Sequence, residues 1–400
     1  MGTFLLILGL ILFIGLVIIH ELGHYWAARR GGVEVEEFGI FFPPRLFKRK
    51  LKNGVDFTIN ALPLGGFVKL KGEHDSDRQK GSYGAAKTST KVKIMLAGVF
   101  MNLVVALGLF TILALIGMPK LIDNQFTIKS DTKVIKNEVL IGYVEPGSPA
   151  AKAGLHDRDR LISITDNGCD LGATCVTVEA DGQEIKSASD LPKITKQFAG
   201  QTRFVHYMRN GNHQTAKVTF LSKAVVEASK KTDNPKGYLG IVPSEFSLQR
   251  STWSAPVVAV GLSVQLTGLT FQGLGHALAG LGGIIAGTVT GNGQARHNAQ
   301  TAASEQVSGP VGIYAVLQSG SALGFQFMLF IIAIISLTLA IMNVLPIPAL
   351  DGGRMFVTII SRLFKKQISQ KAEEAIYATG FAVLMLLIII ISIVDVKRFF

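Results

Sequence analysis

The chain has 400 residues, 48% of them hydrophobic and only 17% charged, against about 25% charged in ordinary soluble chains, which argues against a wholly soluble protein. Lys and Arg number 40 and Asp and Glu 28, a formal charge of +12, whose meaning depends on where the charges sit. Two cysteines, Cys169 and Cys175, are too few for a disulfide scaffold or a thiolate zinc site, so any metal here must use His and carboxylates.

The first element is uncharged from Thr3 to Ile19 and continues to Ala28, about 25 residues or ~37 Å of helix, enough to cross a bilayer. A cleaved signal peptide would show a basic start and a small-residue cleavage site; two histidines and a glutamate stand at its far end instead. Residues 1–29 therefore read as a first span. A basic loop follows over 30–93, then a second span over 94–118, a third beginning at 323 and ending near 345, a cytoplasmic loop over 354–374, and a fourth span over 375–394. Both loops rich in Lys and Arg, 30–93 and 354–374, read as cytoplasmic by the positive-inside rule, which puts both termini and the segment from Lys120 to Ala322 outside. The uncharged stretch Val257–Val289 is loosened by Gly, Ser, Thr and His276. As a fifth span it would put the last basic loop outside, so it reads as helices lying on or dipping into the outer leaflet, within a linker over 223–322. The basic excess is thus a topology signal, and no nucleic-acid module is expected.

At the inner end of the first span stands His20-Glu21-Leu22-Gly23-His24. Positions i and i+4 share a helix face, so both imidazoles can address one metal while Glu21 sits beside it as a general base. An ionisable cluster inside a span is costly and points to function. A catalytic zinc takes three protein ligands, so one is missing. The best candidate is Asp351, at the end of Asn343-Val344-Leu345-Pro346-Ile347-Pro348-Ala349-Leu350-Asp351-Gly352-Gly353, where prolines stop the third span and glycines allow a sharp turn. With four spans, His20, His24 and Asp351 all fall at the inner level.

Together these two segments resemble the site-2 protease family of intramembrane zinc metalloproteases, in the bacterial branch that carries a PDZ domain. Ala61–Glu73 resembles that family's membrane-associated β-hairpin, Gly98-Val99-Phe100-Met101-Asn102 its Gly-x-x-x-Asn, and Val307–Gly312 the stretch before its third core helix. Phe41-Phe42-Pro43-Pro44 and Val99 depart from the family pattern around the hairpin entry and in the second span. The resemblance implies one Zn2+ on His20, His24 and Asp351, with Glu21 catalytic. It also implies substrate contacts at Asn343, Gly66, Val68 and Asn102, although Asn343 reads equally as a helix C-terminal cap.

From about Lys133 to Leu221 polar alternation replaces apolar runs, within a domain over 125–222, and Gly142-Tyr143-Val144-Glu145-Pro146-Gly147-Ser148-Pro149-Ala150-Ala151 followed by Ala153-Gly154-Leu155 resembles a PDZ domain, a groove for peptide C-termini. An insertion holding Cys169 and Cys175 would carry a structural disulfide if the domain lies outside the cell, with reduced thiols the alternative. The fold class expected is therefore a polytopic α-helical membrane protein with four transmembrane helices, a membrane-associated β-hairpin and an inserted extracytoplasmic α+β PDZ-like domain, in the bacterial inner membrane. The function expected is hydrolysis in or next to transmembrane segments of single-span proteins within the lipid bilayer, either of anti-sigma factors or of signal-peptide remnants, with the PDZ-like domain gating access. The rival is a catalytically inactive membrane-anchored PDZ scaffold. A transporter would show repeated hydrophobic halves, which this chain lacks.

Overall fold

The uncharged runs become long helices. In the computed structural model, which describes residues 2–74, 77–122, 124–166, 183–209, 211–232, 235–290, 309–364 and 368–399, these are α1 (Gly2–Arg30), α2 (Thr88–Ile116), α3 (Ala255–Val289), α4 (Pro310–Leu323), α5 (Phe325–Val344), α6 (Asp351–Leu363) and α7 (Gln370–Phe399). The chain divides into two units, Met1–Met118 with Phe126–Asp131 and Ser251–Phe400, and Pro119–Gln125 with Thr132–Arg250.

In the helical unit, Leu5 and Leu16 of α1 join Leu317 of α4 and Met328, Ile331 and Ile332 of α5 in one buried cluster. Phe110 of α2 meets Phe330 of α5 edge-to-face at 5.7 Å, both fully buried. Gly9 abuts Met328 and His20 meets Asp351, so α1 and α5 run in the same direction. Gly23 lies against Ala97, and Val105 and Leu109 pack near Leu5 and Leu16, so α2 runs opposite to them.

Among the described residues, five helices are long and apolar enough to cross a membrane: α1, α2, residues Ala255–Gly280 of α3, α5, and Gln370–Lys397 of α7. The four-span expectation differs at α3, which forms one continuous 35-residue helix instead of several interfacial pieces. Its Ser and Thr hydroxyls find acceptors within the helix, Ser263 donating to the Ala259 carbonyl and Thr267 to that of Ser263. Parallel α1 and α5 still require an even number of crossings between the end of α2 and the start of α5.

Between α1 and α2 lie β1 (Val35–Lys50) and β2 (Asp56–Leu70). Each strand bends and is used twice. Residues 35–40 pair with 66–70 on one side and with 56–59 on the other, and 56–60 pair in turn with 45–50. The result is a sheet whose edges are 66–70 and 45–50, broader than the hairpin expected from sequence.

The second unit is an antiparallel sheet. Strands β3 (Lys133–Val144), β4 (Arg160–Thr165), β5 (Thr202–Arg209), β6 (Asn212–Thr219) and β7 (Ile241–Arg250) lie in the order β7-β3-β4-β5-β6. Period-two alternation sends Val139 and Ile141, Val205 and Tyr207, and Ala216 and Val218 to one face, where they form a core with Leu191 and Ile194 of the helix Leu191–Gln197. The expected boundary at 222 falls short, because β7 returns to pair along the length of β3. Cys169 and Cys175, and the disulfide expected of them, lie outside the described residues.

Candidate metal centre

His20 and His24, one turn apart on α1, point toward α2, and Asp351 reaches them as the first residue of α6. Its oxygen Oδ2 stands 3.1 Å from Nε2 of His20 and 3.1 Å from Nε2 of His24, and the two Nε2 atoms are 3.2 Å apart. Among the described residues this is the one group of three His, Cys, Asp or Glu whose donor atoms converge closely enough to hold a metal ion. Asp351 sits in the first turn of its helix, where the exposed N–H groups and the dipole favour an ionised carboxylate. The loop before it turns sharply, with Ala349 at φ +85°, a left-handed conformation that non-glycine residues seldom adopt. A Cβ on Gly352 would run into the carbonyls of Val344 and Leu345, and one on Gly353 into that of Ile347, so the two glycines let the loop fold over the start of α6.

Glu21 is half-buried, and His24, His20 and Asp351 are near enough for their charges to act on its carboxyl. On its other side the β1–β2 sheet arrives: a Cβ on Gly66 would stand 2.8 Å from Cγ of Glu21. A cavity of about 10 Å³ remains there, lined by Val17, Glu21, Gly39, Ile40 and Gly66 among others, the space of about one water molecule.

Residues 8–387 match the sequence profile of peptidase family M50. The chain belongs to that family. It is 28% identical over 391 residues to a protein named as a zinc metalloprotease in Clostridium perfringens, covering 98% of each chain. It is 23% identical to the protease Eep of Enterococcus faecalis, over all of this chain and 99% of the other. It is also 24% identical to the regulator of sigma-W protease RasP of Bacillus subtilis, over 98% of both. This M50 chain is accordingly a zinc metalloprotease of the site-2 type and a multi-pass membrane protein.

The site's geometry suits the family's metal. Zinc bonds to His and Asp are about 2.0–2.1 Å, so a tetrahedral set has donor atoms about 3.3 Å apart, close to the observed 3.1–3.2 Å triangle. The set of two imidazole nitrogens and one carboxylate oxygen is of the catalytic kind.

Other candidates from the sequence fall in different places. Asn102 is 1% exposed; its amide lies 3.2 Å from Nδ1 of His20, beneath the imidazole and closed to a peptide. Val68 is half-buried against the cluster of Ala28, Val33, Leu70 and Ile94, so its side chain packs the sheet onto the helices. Gly66 lies on the edge strand beside Glu21. Asn343 occupies the last turn of α5, half-buried.

Sequence reasoning missed two groups in the M50 site. The Ile94 backbone carbonyl accepts from Nδ1 of His24 at 2.8 Å, and no motif reports a carbonyl. Gly98 is the second: a Cβ there would stand 2.5–2.7 Å from ring atoms of His24 and His20. Its place in the Gly-x-x-x-Asn segment was the available signal.

Proposed function

We propose that the chain hydrolyses peptide bonds in or next to transmembrane segments of single-span membrane proteins, with zinc held by His20, His24 and Asp351 and with Glu21 as the general base. The observation that carries this is the 3.1–3.2 Å triangle of donor atoms beside Glu21. Zinc in such a set supplies Lewis acidity toward a water and the scissile carbonyl. Glu21 takes the water's proton and returns it to the departing amine nitrogen.

A peptide bond in a helix is hydrogen-bonded and sterically covered, so the substrate must be extended before it is cut. The outer edge of residues 66–70 has no partner strand among the described residues and can accept such a segment by strand addition, with Gly66 setting it against Glu21. Asn343 makes no side-chain hydrogen bond among the described residues, leaving its amide for the same segment or for the loop ahead of Asp351. The sheet unit is read as PDZ-like, taking peptide C-termini and gating access, so that an earlier cut outside licenses the inner one. The basic loops 30–93 and 354–374 support both termini lying outside a bacterial inner membrane. Anti-sigma factors and signal-peptide remnants are the substrate classes that fit.

The test pairs zinc analysis of the detergent-purified protein with cleavage of a single-span substrate. Wild type is expected to hold about one zinc and to cleave. Glu21→Gln should keep the metal and lose about 10²–10⁴-fold in turnover, and Asp351→Ala should lose the metal. A Glu21→Gln protein that cleaves as well as wild type would refute the mechanism. Proline at Gly66 with cleavage intact would remove the edge strand from it.

A further inference from the structure

We infer that Asn102 is a positioning residue that fixes the tautomer of His20 by accepting, through Oδ1, the hydrogen on Nδ1, leaving Nε2 free to bind metal. The inference rests on the ligand set proposed above.

The two metal-facing imidazoles are served by one stripe of α2. His24 turns its Nδ1 to the carbonyl of Ile94 at 2.8 Å; a carbonyl only accepts, so that nitrogen carries the hydrogen and Nε2 keeps its lone pair. Four residues along is Gly98, whose missing side chain lets both rings lie against the helix. Four residues further, Asn102 meets Nδ1 of His20 at 3.2 Å. Positions 94, 98 and 102 thus stack on one face of α2, opposite His24 and His20 on the antiparallel α1.

Asn102 has its Nδ2 on the His20 side, while its Oδ1 is buried without a hydrogen-bond partner. The two ends of an amide are interchangeable in shape, and the hydrogen-bond network decides between them. With Nδ2 toward the ring, His20 would have to accept at Nδ1 and carry its hydrogen at Nε2, where it would point at Asp351 and His24 and block metal binding. Rotating the amide by half a turn places Oδ1 against Nδ1–H and gives His20 the same tautomer that Ile94 gives His24. The residue is held for this task from a third helix: Ser336 of α5, fully buried, donates to the backbone carbonyl of Asn102 at 2.7 Å. Partners of this kind on metal-bound histidines typically change metal affinity about 10–100-fold when removed.

The experiment measures zinc affinity by competition with a chromophoric chelator, on the full chain purified in detergent, for wild type, Asn102→Asp, Asn102→Leu and Asp351→Ala. Aspartate at this position can accept but not donate; leucine does neither and keeps the volume. Expected are affinity within about threefold of wild type for Asn102→Asp and a loss of about 10–100-fold for Asn102→Leu. An Asn102→Asp protein as weak as Asn102→Leu would overturn the inference, since the amide would then act as a donor or merely as a filler. Unchanged affinity in Asn102→Leu would overturn it as well. If Asn102→Leu fails to fold, Asn102→Asp decides alone, retained affinity supporting the acceptor role and a loss of tenfold or more refuting it. Zinc held normally by Asp351→Ala would instead sink the ligand set and this inference with it, while zinc lost there but unaltered by both Asn102 substitutions would sink only the inference.

Discussion

Asp159 in the sheet unit and Asp351 in the helical unit are both withdrawn from solvent, and they are held in opposite ways. Asp159, 1% exposed, receives Nε of Arg209 at 2.7 Å on one oxygen, and Nη2 of Arg209 at 2.6 Å and the backbone N–H of His156 at 2.8 Å on the other. Its neutralising charge is part of the chain, in the two-pronged geometry that suits guanidinium and carboxylate. Asp351 meets two imidazoles, one of which has committed its other nitrogen to a backbone carbonyl. A carboxylate matched by a covalently attached cation is a structural element. One that converges with two imidazole nitrogens has the geometry of a metal-binding set.

The sharpest way to break that contrast is to remove each carboxylate in turn. Asp351→Asn should cost the metal and with it several kcal/mol of transition-state stabilisation, about 10³-fold or more in turnover, while the far-ultraviolet circular dichroism stays that of wild type. Next in size, Asp159→Ala leaves Arg209 without its partner and should destabilise the sheet unit by about 3 kcal/mol, read as a lower denaturant midpoint, with zinc stoichiometry unchanged. If Asp159→Ala released zinc, or if Asp351→Asn still cleaved, sorting the two carboxylates by the source of their countercharge would be wrong.

How far these roles are legible in the sequence follows the same division. His20, Glu21 and His24 can be read because helical periodicity alone brings them together. Asp351 can be read because prolines and glycines mark a turn where a span ends. Asn102 could be noticed but not understood: its partner His20 lies 82 positions away, and only the antiparallel packing of α1 and α2 puts the two in register. The Ile94 carbonyl leaves no trace in side-chain identity. In the β1–β2 sheet, the resemblance of Ala61–Glu73 implies a hairpin but not that 35–40 and 56–60 each pair on both edges, since that depends on where the strands bend. The strand β7 was missed for a simpler reason: Pro243 and the polar Ser244, Glu245, Ser247 and Gln249 dilute its apolar pattern, and its place is fixed by hydrogen bonds to β3 more than a hundred residues earlier.

A third aspartate extends the comparison to a smaller effect. Asp395 of α7, 1% exposed, accepts the backbone N–H groups of Gly309 at 2.8 Å and Gly312 at 2.9 Å, so that α7 caps the start of α4 from a distance. Asp395→Ala strips the first turn of that partner and should cost about 1–2 kcal/mol, seen as a lower melting temperature with metal content and turnover per folded molecule preserved. Loss of zinc in this variant would mean that the α4–α7 contact shapes the metal centre, which the comparison denies.

The smallest expected effect belongs to Asp131, which among the described residues meets hydroxyl and backbone N–H donors and neither a cation nor a metal-binding set. One oxygen accepts from the Thr252 hydroxyl at 2.5 Å, and the other from the Ser254 hydroxyl at 2.6 Å and the N–H groups of Thr252 and Ser254 at 2.7 and 3.1 Å, fixing the chain as it enters α3. The hydroxyls of Ser254 and Thr252, then their backbone N–H groups, hold the carboxyl well below the usual carboxylate range. A group whose folded-state value is depressed contributes its stability above the unfolded value, about 3.9 for Asp, and loses it as pH falls toward the folded one. The melting-temperature difference between wild type and Asp131→Asn should therefore be constant from about pH 5 to 8 and shrink steadily below about pH 4. A difference that persisted undiminished to about pH 3 would mean that the shape of the side chain, not its charge, holds the start of α3. Asp131 would then have to be set apart from Asp159 and Asp351, whose roles depend on the ionised form.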